Sequence, residues 1–283
     1  MEYASGHSAR AMNPHLPTGN FYGEMLRQHL ANGFSLSETR YFPGTRLPPH
    51  SHESPYFGFV LSGSYTESYG QKVRRCQPAM IVCHPAGELH AQDFSQAPVN
   101  LFRIELDCDR LDLNQTALNL DCGEVRGGLP VSLAGKLYQE FCEPDELSHL
   151  AITGLGFELI ATIARLRKTS RASAIQPPPW LSQAQELLKS RYLEHFTFTE
   201  IAAEVGVHPV TLAREFRRHY KCTMGEMLRR ERIEFACRLL KSGESLSSIA
   251  ISAGFYDQSH FARAFKRLLG MTPTSYRANF RPR

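Results

Sequence analysis

The sequence lacks the marks of several protein classes. It has no apolar run of about 18 residues, so no membrane-spanning helix is expected. Its opening stretch, MEYASGHSARAMNPHLPTGN, lacks the apolar core of a secretory signal and reads as a loosely ordered arm. No CxxC pair occurs among the seven cysteines, Cys76, Cys83, Cys108, Cys122, Cys142, Cys222 and Cys237. Their odd number and scatter argue against a disulfide scaffold or zinc ribbon, and reduced thiols in a cytoplasmic protein are the expectation. With 42% hydrophobic and 21% charged residues, the chain can bury ordinary globular cores. Its 283 residues suggest about two domains.

The overall charge of +4 hides an asymmetry. Residues 180–283 carry 17 Lys and Arg against 10 Asp and Glu, a net of +7, which leaves −3 for residues 1–179. Positive charge gathered at one end suits a polyanionic partner.

Composition shifts divide the chain. Residues 33–108 are rich in aromatic and β-branched residues broken by Gly and Pro. Within them Tyr56–Leu61, Tyr65–Tyr69, Met80–Cys83 and Val99–Leu106 read as short strands, and Ser62-Gly63 suggests a tight hairpin between the first two. Many short strands at close spacing imply a small barrel or sandwich. Residues 131–168 change to helical period: Leu133, Leu137 and Phe141 share one face, and Ile152, Leu155, Leu159, Ile163 and Leu166 form a second seam. Such a helix pair would join two copies of the chain as a homodimer or cover the strands of its own copy. The stretch TSRASAIQPPPW, residues 169–180, holds three consecutive prolines and reads as an interdomain linker. The expected divisions are thus an arm and lead-in over 1–32, a sensor barrel over 33–130, a helical segment over 131–168, a linker over 169–180, and a helical domain over 181–283.

The helical domain contains an imperfect repeat. FTEIAAEVGVHPVTLAREFRRHYKCTMGEML spans 198–228, and LSSIAISAGFYDQSHFARAFKRLLGMTPTSYR spans 246–277. Ile201, Ala202, Val205 and Gly206 recur as Ile249, Ala250, Ala253 and Gly254. Leu212, Phe216 and Met227 recur as Phe261, Phe265 and Tyr276. Each copy reads as helix, glycine turn, helix, with Arg and Lys on the second helix, which is how a helix-turn-helix DNA reader looks in sequence. The units lie near 198–220 and 246–269. Gly206 suits a left-handed helix end, Pro209 a first helical turn, and Asp257 a cap. With the apolar faces buried, Thr211, Arg214, Arg217 and Arg218 must be exposed in the first copy. Gln258, His260, Arg263, Lys266 and Arg267 must be exposed in the second. Arg bridges guanine and Gln bridges adenine, and residues near the helix start are best placed for bases while later ones meet phosphates. Gly225–Ser242 reads as one connecting helix, about 27 Å long at ~1.5 Å per residue. Adjacent major grooves repeat at about 34 Å.

Residues 180–281 resemble the DNA-binding domain of AraC/XylS-family transcription regulators. The resemblance rests on the whole segment, including RIEFACRLL (232–240) and GFYDQSHFARAFKRLLGMTPTSYR (254–277). It implies seven helices and two helix-turn-helix units in adjacent major grooves of double-stranded promoter DNA. It also implies work beside RNA polymerase on the bacterial nucleoid, more often as an activator. By position, Val210, Ala213 and Arg214 match base-proximal places in the first reader, and Gln258, Ser259, His260 and Arg263 those in the second.

The N-terminal half resembles a cupin. Gly44 to His52 fits G-x5-H-x-H, and Pro85 to His90 fits P-x-G-x-x-H. The resemblance implies a barrel in which His50, His52 and His90 could hold a divalent metal. The motif's glutamate position holds Tyr56 or Phe57, and Ala79 and Phe94 replace two further motif residues. An organic effector touching Tyr56, Phe57, Tyr65 and the three histidines is the alternative occupant. The fold expected is therefore multidomain: a cupin-like β-barrel with two following helices, then an all-α double helix-turn-helix domain. The function expected is a ligand-responsive transcription regulator. The competing class is a metal-dependent cupin enzyme fused to a DNA-binding domain.

Overall fold

The computed structural model describes residues 14–95, 97–113, 123–171, 177–220, 222–240 and 242–280. The N-terminal half is β-rich, with strands β1 (His15–Leu16), β2 (Glu24–Ala31), β3 (Phe34–Tyr41), β4 (Thr45–His52), β5 (Tyr56–Ser62), β6 (Tyr65–Tyr69), β7 (Lys72–Cys76), β8 (Met80–His84), β9 (His90–Phe94), β10 (Val99–Leu106) and β11 (Gly123–Arg126). They form two sheets, ordered β1-β4-β9-β6-β7 and β11-β8-β5-β10-β3-β2. Among the described residues the sheets do not join at their edges, so the barrel is open, with side chains such as Tyr41, Val60, Tyr65, Phe94 and Leu101 meeting between them. The larger sheet starts before residue 33, because β2 pairs along most of β3.

The central strands of the larger sheet are buried on both faces; β5 and β8 read as near-continuous apolar runs for that reason, while β10 also buries Asn100, Arg103 and Glu105. On β10, Leu101 packs between the sheets, while Phe102, Ile104 and Leu106 pack on the outer face beneath the helices. Alternation decides β5 in the same way: Val60 points inward, and Phe57, Phe59 and Leu61 point outward.

The expected hairpin at Ser62-Gly63 is not formed. Both edges of β5 are taken, by β8 and β10, so β6 crosses into the other sheet and pairs with β7 and β9. Gly63 makes the crossing at φ 77°, and a Cβ there would strike the carbonyl of Pro98.

Two helices cover the outer face of the larger sheet, α1 (Gly128–Cys142) and α2 (Ser148–Arg171). Leu133, Leu137 and Phe141 of α1 and Ile152, Leu159 and Ile163 of α2 are buried. Leu166, expected in the same seam, is instead 40% exposed. Gly156 lets α2 lie against the Phe34 ring, where a Cβ would enter the ring itself. The Ser148–Arg167 stretch is long and apolar enough to cross a membrane by length and composition, with a mean hydropathy of 1.3. Its inner side packs on α1, β2 and β3, and its outer side leaves Leu150 and Phe157 exposed, as is Leu147 just before it.

The C-terminal half has seven helices among the described residues: α3 (Pro179–Ser190), α4 (Phe198–Glu204), α5 (Pro209–Tyr220), α6 (Met224–Leu239), α7 (Leu246–Ser252), α8 (Gln258–Leu269) and α9 (Pro273–Phe280). The centre of the expected linker, residues 172–176, lies outside the described residues. Pro179 opens α3 from the first helical turn, where its missing N–H costs nothing.

Candidate functional site

Each reading unit is built from a short helix, a glycine turn and a longer helix. In the first, Ile201 and Ala202 on α4 meet Leu212 and Phe216 on α5, closed by Leu181, Ala184 and Leu188 of α3. In the second, Ile249 and Ala250 on α7 meet Phe261 and Phe265 on α8. Gly206 and Gly254 turn the chain at φ 71° and 77°. Capping places the helix starts. Thr197 and Glu200 form a reciprocal capping box before α4, and Asp257 accepts the His260 N–H at 2.6 Å at the start of α8.

Burying one face of α5 presents the other. Val210, Ala213, Arg214, Arg217 and Arg218 are exposed, Thr211 is half-buried, and the arginines with Val210, Ala213 and Thr223 line a shallow open groove. On α8, Gln258, Ser259, His260, Arg263, Lys266 and Arg267 are all exposed. The two surfaces differ in charge pairing. Glu215 holds Arg214 at 3.1 Å and Arg218 at 3.4 Å, whereas among the described residues no carboxylate lies within 4.0 Å of Arg263, Lys266 or Arg267. Tyr256, 87% exposed in the turn before α8, extends the second surface. Nothing in its spacing marked it, because an aromatic beside Phe255 in a turn reads equally well as core.

Arg232 of α6 braces both units. Its guanidinium donates to the carbonyls of Tyr192 at 2.7 Å, Glu194 at 3.1 Å and Gly254 at 2.6 Å. The loop ahead of α4 and the turn ahead of α8 therefore hang on one side chain.

A helix-turn-helix domain family matches residues 201–279. A putative AraC-like transcription regulator of Streptomyces antibioticus is 31% identical over 155 residues, covering 51% of this chain and 50% of that protein. The transcriptional activator RhaS of Klebsiella pneumoniae is 32% identical over 114 residues, covering 40% and 41%. Residues 201–279 are a helix-turn-helix domain, similar in sequence to those of AraC-like regulators. The matches span about half the length of these curated relatives or less. Among solved structures, ToxT from Vibrio cholerae is 15% identical and covers 87% of this chain and 97% of its own, at a TM-score of 0.35.

The second candidate site lies between the two sheets. His50 and His52 reach it from β4 and His90 from β9, with His50 directly opposite His90 in the ladder. All three are buried, and their ring nitrogens lie within 4.8 Å of one another. His50 Nδ1 donates to the Pro48 carbonyl at 2.8 Å and His90 Nδ1 to the Glu88 carbonyl at 3.1 Å, which leaves both Nε2 atoms as acceptors. Tyr56 donates its hydroxyl to His90 Nε2 at 3.2 Å. Burial pushes the imidazoles down, His50 and His90 to about 4 and His52 to about 2, with neighbouring histidines and Arg103 opposing further charge.

The structure brings in residues that the motif reading missed. His84 stacks on Tyr56 with ring centroids 4.3 Å apart, and Glu67 joins His84 and His90 in a second convergent group. Glu67 also accepts from Gln92 at 2.8 Å and pairs with Arg74. Strand alternation offered this signal, since Glu67 lies two residues from Tyr65 on β6. Arg103 is buried nearby on β10, and Phe21 of the N-terminal lead-in sits 4.7 Å from the His52 ring and 5.3 Å from the Tyr56 ring. Phe57, expected in this pocket, is not there. Being next to Tyr56 on a strand, it points the opposite way into the core under α1 and α2. Tyr65 does face inward, but in the apolar half, stacked 4.9 Å from Phe94.

The donor set suits a divalent transition metal: three imidazoles with two of their outer nitrogens anchored on carbonyls. The charge does not favour one, because Arg74 and Arg103 lie in the same interior and Glu67 already neutralises Arg74.

Proposed function

We propose that the protein is a ligand-responsive, sequence-specific transcription regulator whose two helix-turn-helix units read adjacent major grooves of promoter DNA. The observation that supports this most is the pairing of two unlike reading helices on one connector, each with its apolar face buried and a cationic face free. Gln258, Ser259, His260 and Arg263 would read bases from α8. Val210, Thr211, Ala213 and Arg214 would do so from α5, where the small side chains suit thymine methyl groups. Arg217, Arg218, Lys266 and Arg267 lie further along and would bind phosphates. Selection from a random duplex library tests this. The expected motif has two unlike elements about 10 base pairs apart; recovery of no motif, with affinity equal on all duplexes, would sink the reading.

The space between the sheets is the proposed sensor, taking a small organic effector around His50, His52, Tyr56 and His90. The convergent nitrogens of His50, His52 and His90 support a second occupant, a divalent ion such as zinc, held as a Lewis-acidic structural signal. Dialysis against zinc followed by metal analysis separates the two, since retained stoichiometric zinc would favour the ion. The exposed Leu150 and Phe157 on α2, with Leu147 just before it, support pairing with a second copy, and sedimentation of a Leu150→Lys variant tests it. The regulator would act beside RNA polymerase, as an activator, on the bacterial nucleoid. The enzyme alternative gains nothing from the relatives described above, both of which are named as transcription regulators.

A further inference from the structure

We propose that the sensor takes a small, flat organic acid, its carboxylate received by Arg103. This rests on the reading of the intersheet space as the effector site.

The two interior arginines are treated differently by the fold. Arg74 is paired with Glu67, a carboxylate buried beside it. Arg103 is 1% exposed, and its guanidinium meets only neutral partners: it donates to Thr39 Oγ1 and, at 2.6 Å, to Tyr41 Oη. Among the described residues no carboxylate lies within 4.0 Å of it. A guanidinium cannot shed its proton to relieve burial, and an unpaired buried cation is costly. The nearest counter-charge is Glu105, two residues along the same strand; it acts on Arg103 through space, but its Oε2 accepts the Gly19 N–H at 2.8 Å and it forms no ion pair with the guanidinium.

What covers the guanidinium describes the missing partner. The Phe21 ring lies over it, 4.2 Å from Arg103 Cζ to the ring centroid, and the same ring touches His52 and Tyr56. Phe21 is only half-buried and comes from the short segment between β1 and β2, not from a sheet. The Phe21 ring thus occupies the slot between Arg103 on one side and the His52 and Tyr56 rings on the other. An aromatic acid whose ring replaced it would keep the ring contacts, with its carboxylate at the guanidinium edge accepting from N–H groups that Thr39 and Tyr41 do not use. An inorganic anion would satisfy the charge but leave the slot unfilled, and a divalent metal would add to the positive charge.

The test uses the full chain, by thermal shift and calorimetry. The probes are benzoate, 4-hydroxybenzoate and phenylacetate, each beside its uncharged amide, with inorganic phosphate and zinc chloride as further arms. At least one acid should raise the melting temperature by about 2 °C or more while its amide does not. Phe21→Ala, which vacates the slot and leaves the charge, should tighten that acid several-fold. Arg103→Met, an apolar replacement of similar length, should abolish the response with circular dichroism unchanged. If Arg103→Met does not fold, the acid-against-amide comparison in the wild type and in Phe21→Ala still decides. Equal binding of acid and amide would overturn the acid assignment and leave the effector site standing. No response to any organic probe in either protein would overturn both, and a response to phosphate or zinc alone would overturn the flat acid in favour of that ion.

Discussion

Arg214 and Arg263 hold equivalent places on the two reading helices but begin from different states. Arg214 is tied to Glu215 on its own helix, and Arg263 has no such partner among the described residues. An exposed, solvent-screened pair of this kind is weak, so DNA can displace it. Arg214→Ala and Arg263→Ala should each weaken specific binding by ~1–3 kcal/mol, measured by titration of the selected duplex. Glu215→Gln should strengthen binding modestly by releasing Arg214. At the sensor, His50 titrates near 4 in the native state and near 6.5 when unfolded. Between those values the unfolded chain binds more protons, so His50 contributes stability above pH 6.5 that is lost as pH falls toward 4. The stability gap between wild type and His50→Gln should therefore shrink on acidification by up to ~3 kcal/mol, read from denaturant melts in a chelating buffer. A gap independent of pH would mean that His50 is not held neutral by burial.

At the scale of elements, α6 decides how far apart the readers sit. It runs from Met224 to Leu239, 16 residues, and so spans about 24 Å at ~1.5 Å per residue. The Thr223 cap starts it one residue before the expected Gly225, but it closes at Leu240 and so ends three residues short of the expected Ser242. A rigid module of this length falls short of the roughly 34 Å groove repeat, so the bound duplex should be bent. Circular-permutation gel shifts should show position-dependent mobility, and uniform mobility with both readers required would exclude bending. Arg232 keeps the units in register from the middle of this helix. Arg232→Met removes three hydrogen bonds from a charged donor and should cost roughly 2–3 kcal/mol of stability. It should also blur the spacing between the two half-elements in the selected motif.

At the scale of the molecule, the two readers are not equally free. The first has its own small core with α3. The core of the second runs on into the sensor, so that Phe261, Phe265 and Tyr276 share one cluster with α1, α2 and the outer face of the larger sheet. Tyr276 donates its hydroxyl to the Leu61 carbonyl on β5, and Gln77 donates to Glu234 at 2.6 Å. Gly135 of α1 lies against the backbone of Leu269 and Gly270, leaving no room for a Cβ. Gly135→Val should therefore part α8 from α1. Hydrogen exchange of the full chain should rise in peptides covering both helices while α4 and α5 stay unchanged. Unaltered exchange at α1 and α8 would show that this contact does not hold the halves together.

Much of this was legible from local pattern. The helical period and the two glycines located both readers and their exposed faces, and Tyr65–Tyr69 and Val99–Leu106 are strands with those same ends. These features depend on neighbours within a turn or a strand, which a sequence states directly. Parity within a strand also sends Phe57 outward and Glu67 inward. Other features depend on which distant strands meet: His84 and Arg103 beside the three histidines, the passage of β6 to the opposite sheet, and the docking of the second reader on α1. Two unlike helix-turn-helix units behind a strand-rich half follow from the order of residues alone. The burial of Arg103 near the histidines, and the packing of the second unit into the core of the strand-rich half, follow from how distant segments meet. Burial and charge pairing across distant segments carry no periodic signal along the chain.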